Sequence, residues 1–457
     1  MKKDFFILGT GPIGVISALY LLENGFKVVI IDNNSPEVSV SRKPLDISFK
    51  NTSSFSISEY FISIYRDKFA LPVAAKSTGG FSNVWGGTLN IFDEIDCESL
   101  NYKNIDLYEK YQYILKKLKL DIEIDLSKDM KLNTKNNIYD EVVLNIDKAL
   151  NKNLKSNKLK YFKSLIFLKN NKIWSSSQLL EELKTRYPNK FDHISNFEVV
   201  EIFEEQNEII LKSQQNKKLK IKNAKLLLAA GALSTSVLIS KFINTNSFTI
   251  KDSQLQAFPI FWLGKNSKSK STNTYPQIFF DIKNEDYTIR TQLYSLNSNL
   301  INSIASNQKI LKKFLKFFSS VFTNRIFINF VYSHSNNSPF YNFELNQNKI
   351  LIKKIIKKRN NDLFKVFRAF TSSFFQTKLL PIPFTKKFKT YGSFHMGGSF
   401  EIGKLLNNKF KIPKTGQVKN NSNIHIIDST TLKTIPSGPI TFTAMANALK
   451  IIDEIIE

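Results

Sequence analysis

The sequence predicts an α/β fold built on a parallel sheet, and three observations near its start carry that prediction. Residues 4–8 are a short apolar run typical of a buried strand, and the segment GTGPIG follows at residues 9–14. From Pro12 to Leu22 the apolar residues fit a buried helix, and Lys27 to Ile31 form a second apolar run. A strand, a glycine turn, a helix and another strand, in this order, form the first unit of a parallel sheet.

The glycine turn has the spacing of a dinucleotide-binding site. Gly9 allows a tight turn, Gly11 lets the backbone approach a pyrophosphate, and Gly14 lets the helix pack against the sheet. The start of the helix would direct free amide N–H groups and its positive dipole end at the phosphates. Asp32 ends the second strand, where a carboxylate can accept both ribose hydroxyls. The turn therefore predicts a Rossmann-like domain and leaves FAD and NAD as alternatives.

Length and composition limit the remaining possibilities. A chain of 457 residues is long enough for two closely joined domains, and its one cysteine, Cys97, excludes an internal disulfide. The first strand begins within five residues of Met1, which leaves no room for a signal peptide, so we expect a cytoplasmic location. No uncharged apolar stretch reaches about 18 residues, the length that a membrane span requires.

The net charge of +26 has two interpretations. Lysine, asparagine, isoleucine and phenylalanine are all abundant, as under a compositional bias that leaves much of the charge on solvated surface. Alternatively, the charge serves an anionic partner, such as a nucleotide sugar or an acidic lipid surface. Nucleic acid is an unlikely partner, since no zinc-ligand spacing, recognition helix or aromatic RNA-binding motif accompanies the charge.

Two further glycine-containing segments are candidates for contact with a cofactor. TGGFSNVWGG at residues 78–87 suits a loop pressed against a flat ring and a phosphate, although a plain surface loop would look the same. LLLAAGALST at residues 226–235 predicts a buried strand that runs through small residues into a helix start. A hairpin is predicted just upstream, from Phe197 to Ile202 and from Glu208 to Lys212.

The C-terminal segment completes the pattern. Ile424 to Ile427 predict a strand that ends at Asp428, and PSGPITFTAMANA at residues 436–448 leads into a final helix. Together with FHMGGSF at residues 394–400, these segments resemble the glucose–methanol–choline (GMC) oxidoreductase family. The chain is most similar to bacterial members associated with surface-polysaccharide biosynthesis.

The resemblance implies an FAD-dependent alcohol oxidoreductase with a histidine over the flavin. His395, followed by Gly398 and Ser399, matches the spacing of that histidine, which would accept the hydroxyl proton while hydride leaves for flavin N5. The other histidines, His193, His334 and His425, are more typical of structural positions. Family members carry a second histidine or asparagine near the final helix, whereas this chain has Ser437, Gly438 and Pro439 there.

The resemblance also predicts how the cofactor is held. Some members tether FAD covalently through a histidine at the position of Val84, and valine cannot form that bond, so we expect non-covalent FAD. Val199 or Val200 matches the position of a backbone contact to the adenine. The turn and the resemblance together nominate these cofactor-binding residues: Gly9, Gly11, Pro12, Ile13, Gly14, Asp32, Gly79, Gly80, Ser82, Asn83, Trp85, Gly86, Gly87, Val200, Ala230, Gly231, Asp428 and Thr441.

The expected architecture is a discontinuous FAD-binding domain and an antiparallel substrate domain. Residues 1–100, 190–250 and 391–457 form the first and residues 251–390 the second. Residues 101–189 are a mainly helical connecting segment with a possible strand at Ile166–Leu168. Substrate-domain strands are predicted for Ala257–Leu263, Gln277–Ile282, Thr288–Tyr294 and Arg325–Tyr332. Two basic aromatic stretches, residues 309–322 and 364–374, either belong to the core or lie on a membrane surface.

The sequence thus predicts an FAD-dependent oxidoreductase for the CH–OH group of a sugar, a nucleotide sugar or a lipid-linked sugar. A dehydrogenase is favoured over an oxidase, and oxygen, a quinone or a protein remain alternatives as electron acceptor. Because the second catalytic residue is missing, a catalytically impaired FAD-binding protein of the same fold is the alternative function.

Overall fold

The fold is described from a computed structural model. The structure describes residues 4–33, 61–62, 75, 77–83, 85–98, 100, 102, 104–120, 122–125, 131–134, 139–155, 159–169, 172–267, 275–284, 286–296, 301, 313, 316–317, 322, 324–346, 349–356, 360–388, 392–406, 410–420 and 422–457. Val84 and most of residues 309–322 lie outside the described residues, so the expectations for them are not addressed by the structure.

Nine α-helices lie within the described residues: α1 (Pro12–Glu23), α2 (Glu94–Glu98), α3 (Asn104–Lys117), α4 (Glu141–Asn153), α5 (Ser176–Arg186), α6 (Ala232–Phe242), α7 (Asp362–Ser372), α8 (Phe374–Thr377) and α9 (Thr441–Ile456). Numbered along the chain, the first described strands are β1 (Phe5–Leu8), β2 (Val28–Ile31), β3 (Phe61–Ile62), β4 (Thr88–Leu89), β5 (Ile122–Asp125), β6 (Lys131–Thr134), β7 (Leu159–Lys163), β8 (Leu165–Ile166), β9 (Leu168–Lys169) and β10 (Lys172–Ile173).

The described strands continue with β11 (Phe191–Ile194), β12 (Val199–Glu205), β13 (Glu208–Ser213), β14 (Lys218–Ile221), β15 (Lys225–Leu228), β16 (Ser247–Asp252), β17 (Leu255–Trp262), β18 (Ile278–Lys283), β19 (Thr288–Ser295) and β20 (Ile326–Tyr332). The remaining ones are β21 (Phe340–Asn346), β22 (Lys349–Ile356), β23 (Leu379–Pro381), β24 (Lys386–Lys387), β25 (Met396–Gly397), β26 (Leu405–Leu406), β27 (Phe410–Lys411) and β28 (Ile424–Ile426).

A five-stranded parallel sheet forms the first layer of the molecule, in the order β11-β2-β1-β15-β28. Strands β1 and β2 are apolar throughout and buried, as is typical of parallel strands that are covered on both faces, whereas the edge strands β11 and β28 contain Asp192, His193 and His425. Helix α1 connects β1 to β2 and packs against α9 and α5. The predicted strand, turn, helix and strand at the start of the chain are therefore confirmed to within one residue at each boundary.

An antiparallel sheet, β12-β13-β14, follows β11 and leads back into β15. The hairpin predicted from the alternating residues after Phe197 corresponds to β12 and β13. This sheet is inserted between β11 and β15. The insertion is the reason that these two strands of the parallel sheet lie far apart in the sequence.

A larger antiparallel sheet contains the four predicted substrate-domain strands. Its order is β23-β17-β20-β19-β18-β7, with β24 also paired to β17. The four predicted strands correspond to β17, β18, β19 and β20, with boundaries shifted by at most two residues. One face packs on α4 and α7 around Phe258, Phe280 and Phe327, and the opposite face carries Tyr294 and Tyr332.

A second sheet, β25-β16-β21-β22-β3, is antiparallel except for the parallel pair β22 and β3. Its strand β25 follows His395 directly, and Asp252 at the end of β16 pairs with Met396. The backbone around the candidate catalytic histidine is thereby fixed to the strand that leads into β17.

The expectation that residues 101–189 are mainly helical is wrong for the middle of that segment. Helices α3, α4 and α5 are present, but strands β5 to β10 lie between them. Strand β7 completes the larger antiparallel sheet by pairing with β18, and β8 pairs with β4. Short strands of this kind are stabilised by distant partners, so local sequence periodicity gives little sign of them.

No helix among the described residues combines the length and the apolar character needed to cross a bilayer.

His425 is buried in β28, and its environment makes the fold sensitive to acid. Its Nδ1 lies 2.9 Å from the carbonyl oxygen of Thr415, and burial lowers the pKa of the ring to about 4. Unfolding returns the pKa to about 6.5, so the unfolded chain takes up the proton first and stability falls as the pH drops below 6.5.

We expect His425→Gln to reduce this acid sensitivity. Between pH 7 and pH 5 the wild-type histidine should cost about 2 kcal/mol of stability, and the variant should lack that loss. Urea denaturation at the two pH values measures the difference. An identical pH dependence in the variant would contradict the assignment.

Candidate cofactor and catalytic site

A cavity of about 300 Å³ opens at the carboxyl ends of β1, β2 and β15. This is the edge of a parallel sheet at which ligands commonly bind. The predicted cofactor residues that line it are Gly9, Gly11, Pro12, Ile13, Asp32, Gly80, Ser82, Trp85, Val200, Ala230, Gly231, Asp428 and Thr441. Gly14, Gly79, Asn83, Gly86 and Gly87 do not line it, and neither do His395 and Ser437.

Two glycines of the first turn allow close backbone packing, and the third leaves the backbone accessible from the cavity. A side chain at Gly9, where φ is +114°, would overlap the carbonyl oxygen of Ala229, and one at Gly14 would overlap the carbonyl oxygen of Gly9. Gly11 is different, because a Cβ there would meet no atom within 4 Å. The space beside Gly11 belongs to the cavity, so a ligand can contact its backbone directly.

The start of α1 is suited to an anion. Gly11 is its N-cap and provides no side-chain hydrogen bond to the first turn, which also contains no acidic residue. The free amide groups of that turn and the helix dipole therefore favour a negatively charged group in the cavity, such as a phosphate.

Asp32 lies at the end of β2, but most of its hydrogen-bonding capacity is already used. Its Oδ2 accepts hydrogen bonds from the hydroxyls of Thr10 at 2.8 Å and Thr78 at 2.7 Å, and its Oδ1 lies 3.1 Å from Nε2 of His193. A carboxylate has about four acceptor positions, so one remains. Asp32 can therefore accept one further hydrogen bond, whereas the sequence predicted that it accepts one from each of the two ribose hydroxyls.

His193 reaches Asp32 from the neighbouring strand β11, which pairs with β2 in parallel. The sequence analysis missed this contact because the two residues are far apart in the chain. Only the pairing of β11 with β2, which no local pattern indicates, brings them together.

The loop at residues 77–83 holds its own shape through polar side chains. Ser82 donates to the carbonyl of Gly79 at 2.5 Å, and the Nδ2 of Asn83 donates to the carbonyl of Thr78 at 2.7 Å. Asn83 also accepts from Ser175 at the start of α5. These side chains shape the cavity wall, whereas the sequence had suggested that they bond a cofactor.

Trp85 is anchored at the edge of the cavity. Its Nε1 donates to the carbonyl of Trp174 at 2.9 Å, and its ring stacks on Phe167 with centroids 5.2 Å apart. The indole face is consequently held in one orientation. Phe81, which the sequence did not single out, also lines the cavity, and its ring centroid lies 5.8 Å from that of Phe394.

Asp428 joins the second glycine segment to β28. Its Oδ2 accepts from the backbone N–H of Gly231 at 3.0 Å and the hydroxyl of Thr235 at 2.6 Å, and its Oδ1 accepts twice from Thr430. All four acceptor positions are occupied. Asp428 therefore holds Gly231, where φ is +85°, at the cavity wall and has no acceptor left for a ligand.

Lys241 lies at the other end of the cavity, near Val200. Its Nζ donates to the carbonyl of Val200 at 3.2 Å, and burial lowers the pKa of the ammonium group. Lys241 comes from the last turn of α6 and was missed by the sequence analysis, because one lysine in a lysine-rich chain gives no signal.

His395 lies just outside the cavity, between two residues that line it, Phe394 and Met396. Its ring is 4.9 Å from that of Tyr332, and its backbone N–H donates to the hydroxyl of Ser393. Its Nδ1 is fully buried and has no hydrogen-bond partner among the described residues. Burial lowers the pKa of the ring to about 3, so His395 is neutral at pH 7.

Ser437 approaches the same sheet through its neighbour Gly438. Gly438 has φ of +113° and lies against the methylene groups of Arg290, which is paired across β19 and β20 with Tyr332. The hydroxyl of Ser437 is buried without a partner in the described part of the chain. His395 and Ser437 therefore approach adjacent positions on one sheet face, each with an unsatisfied polar atom.

Arg290 holds the segment that contains Ser437 and Gly438 in place. Its guanidinium forms two 2.7 Å bonds to Asp281 and donates to Oδ1 of Asn90, whose Nδ2 donates to the carbonyl of Pro439. The sequence analysis selected neither Arg290 nor Asn90. Arg290 bonds to Asn90, and Asn90 bonds to Pro439, so three segments that are far apart in the chain are linked. These roles therefore depend on the tertiary fold.

Gln292 adds a third unsatisfied group to this face. Its Oε1 accepts from the hydroxyl of Tyr294 at 2.9 Å, while its buried Nε2 has no partner among the residues described. Buried polar groups usually find partners, so three unpartnered ones on neighbouring positions favour a polar ligand there. No group of three or more His, Cys, Asp or Glu in the described ranges could hold a metal ion.

No family model matches the sequence, and neither does any curated protein. Among solved structures, the chain is similar to the crystal structure of pyridoxine 4-oxidase from Mesorbium loti, with a TM-score of 0.68 and 11% sequence identity. The alignment covers 100% of both chains. The two proteins therefore share a fold over their whole length, in which a parallel sheet and an antiparallel sheet are combined.

The glycine geometry predicts opposite effects for two substitutions. Gly11→Val should fold normally, because its Cβ meets open space, but should obstruct the cavity and abolish retention of the FAD that the sequence resemblance implies. Gly14→Ala should destabilise the fold by about 1–3 kcal/mol, since its Cβ overlaps backbone. Flavin absorbance after gel filtration and the urea midpoint separate the two effects. Normal flavin content in folded Gly11→Val would remove this cavity from consideration.

Proposed function

We propose that the chain is a GMC-type oxidoreductase that binds FAD non-covalently and oxidises a CH–OH group. One observation carries the proposal: a neutral histidine with a buried, unpartnered nitrogen adjoins the wall of a cavity that two glycine-containing segments line. The sequence resemblance to the family and the fold shared with pyridoxine 4-oxidase support it.

The cavity fits FAD by the character of its lining. The amide groups at the start of α1 would bind the pyrophosphate, and Asp32 would accept one ribose hydroxyl. Val200 would contact the adenine, and the end that contains Trp85 and Thr441 would receive the flavin ring. FAD bound there supplies a hydride acceptor at the flavin.

The chain itself would provide the base and the orientation of the substrate. His395, neutral at pH 7, would accept the hydroxyl proton of the substrate. Its pKa is low because the ring is desolvated, and a polar ligand beside the ring would raise it. Ser437 would hold the substrate oxygen by a hydrogen bond, in the place where family members have a histidine or an asparagine.

The substrate that we propose is a sugar, a nucleotide sugar or a lipid-linked sugar, with a role in polysaccharide biosynthesis at a cytoplasmic location. A substrate with several hydroxyls suits the cluster of unsatisfied polar atoms at His395, Ser437 and Gln292. A dehydrogenase reaction is favoured over an oxidase reaction, and oxygen, a quinone or a protein are the alternative electron acceptors. The oxidase named in the structural comparison makes oxygen the first acceptor to test.

A catalytically impaired FAD-binding protein is the second candidate. The absence of a histidine or asparagine at Ser437 favours it. Anaerobic mixing of the yellow protein with sugars and nucleotide sugars decides between the two functions, because only an active enzyme loses its flavin absorbance.

We expect His395→Ala to retain FAD and to slow anaerobic flavin reduction by about 10²–10⁴-fold, the usual contribution of a positioned general base. In the wild type, the second-order rate constant of flavin reduction, which reports the enzyme without substrate, should stay constant from pH 8 down to about pH 5, because the low pKa of His395 keeps the base unprotonated. Stopped-flow absorbance measures both. An unchanged rate in the variant would reject the assignment.

Ser437→Ala is the companion variant, and it should lose less than His395→Ala because it removes a hydrogen bond and leaves the base in place. Equal losses would mean that the hydroxyl is as important as the histidine, and no loss would leave His395 to act without it.

Denaturation should release all of the flavin. The proposed attachment is non-covalent, so a denaturing gel of the wild-type protein should show no flavin fluorescence in the protein band. A fluorescent band would exclude non-covalent binding.

A further inference from the structure

Four large apolar side chains are exposed near one edge of the larger antiparallel sheet. Phe375 is 91% exposed, Phe364 68%, Phe384 57% and Leu380 41%. Single exposed apolar residues are ordinary, but a group of them beside cations marks an interaction surface. We call these residues, with Arg368, Lys378 and Lys387, the basic aromatic edge.

The structure separates this surface from the core. On α7, Val366 and Phe370 are buried in the core cluster, while Phe364 and Arg368 face outward. The aromatic stretch at residues 364–374 is therefore divided: one face packs on the sheet and the other is available for contact. The sequence left core and membrane surface as alternatives: the core interpretation applies to the face of Val366 and Phe370, and the membrane interpretation stays a prediction for the exposed face.

The members of the edge lie on connected elements. Helix α7 contacts α8 and β23, and β23 is an edge strand in which Leu380 is paired with Phe261 of β17. Lys378 joins α8 to β23, and its carbonyl accepts from the backbone N–H of Leu263, which is also 48% exposed. These segments thus form one continuous side of the sheet.

The charge around the edge has a single sign. Between Lys353 and Lys389 the sequence has eleven lysines and arginines and one acid, Asp362. Asp362 is fully buried and accepts a hydrogen bond from Tyr287 at 2.7 Å, so the exposed charged residues that the structure describes in this segment are all cations. Arg368, Lys378 and Lys387 are all exposed.

We propose that the basic aromatic edge docks the protein on an anionic lipid bilayer. Exposed phenylalanines can enter the interfacial region while neighbouring cations contact anionic headgroups, and the two contributions add. A second copy of the chain fits less well, because a symmetric contact would bring the same cations together in a protein of charge +26.

The edge is connected to the candidate site along the sheet. Phe388, four residues after Phe384, donates its backbone N–H to Leu255 and contacts Phe330, with ring centroids 5.9 Å apart. Phe330 is two residues before Tyr332, the ring beside His395. A docked protein would thus hold this sheet next to the bilayer. The docking proposal does not depend on the proposed oxidoreductase function.

Co-sedimentation of the flavin-loaded protein with vesicles tests the proposal. We expect strong binding to vesicles of phosphatidylcholine mixed with phosphatidylglycerol, weakened by salt, and little binding to phosphatidylcholine alone. Lys378→Gln with Lys387→Gln should lower the affinity by about fivefold for each lysine. Phe375→Ser with Phe384→Ser should lower it by about tenfold or more.

Matched control variants distinguish binding through the basic aromatic edge from binding through the overall positive charge of the protein. Lys217→Gln with Lys220→Gln removes the same charge next to and on β14, and Ile105→Ser removes an apolar residue that is 57% exposed on α3. Both should leave binding unchanged. Phe375→Trp should shift its fluorescence to shorter wavelength on anionic vesicles, whereas Ile105→Trp should not.

The proposal is overturned if the wild type binds neither vesicle, or if the control variants lose as much affinity as the edge variants. It is also overturned if the wild type is a dimer that the phenylalanine substitutions dissociate while vesicle binding is absent, since the edge would then join two copies. Circular dichroism of each variant verifies that it is folded.

Discussion

The close approach of backbone at the end of the parallel sheet is the constraint on which the rest of the structure depends. Gly9, Gly14 and Ala229 meet where β1 turns into α1 beside the end of β15, and no side chain fits at either glycine. Because α1 can then lie directly on the sheet, its first turn faces the cavity. The positions of the cavity, of the second glycine segment and of β28 all follow from this contact.

Buried polar contacts, as well as apolar packing, join the larger antiparallel sheet to the segments beside it. Arg290 and Asp281 form a bidentate pair that reaches Asn90 and Pro439, and His334 lies 3.3 Å from Asp96 of α2. Burial raises the pKa of Asp96 to about 6. Removing a charge from water is costly, so such pairs fix a particular arrangement more than they add stability. Here they determine where the segment before α9 meets the antiparallel sheet.

Polar groups are distributed unequally between the two ends of the candidate site. In the cavity at the end of the parallel sheet, Asp428 has all its acceptor positions occupied and Asp32 has one left, so the wall is held by the protein's own hydrogen bonds. Near the antiparallel sheet, His395, Ser437 and Gln292 each retain an unsatisfied buried atom. This contrast is what a preformed cofactor site next to a substrate site would require, because only the substrate end must gain hydrogen bonds during a reaction.

The sequence by itself determined the first βαβ unit, the hairpin after Phe197, four strands of the larger antiparallel sheet and thirteen of the residues that line the cavity. Each depends on local periodicity or on glycine at a strained position, and such signals are contained in a few consecutive residues. Only the tertiary structure decided that β7 joins the larger antiparallel sheet. It also decided that Thr10, Thr78 and His193 use hydrogen-bond acceptor positions of Asp32, and that Arg290 packs against Gly438. The physical reason is the same in every case: these contacts join residues that are far apart in the chain, and their energy exists only once the sheets have formed.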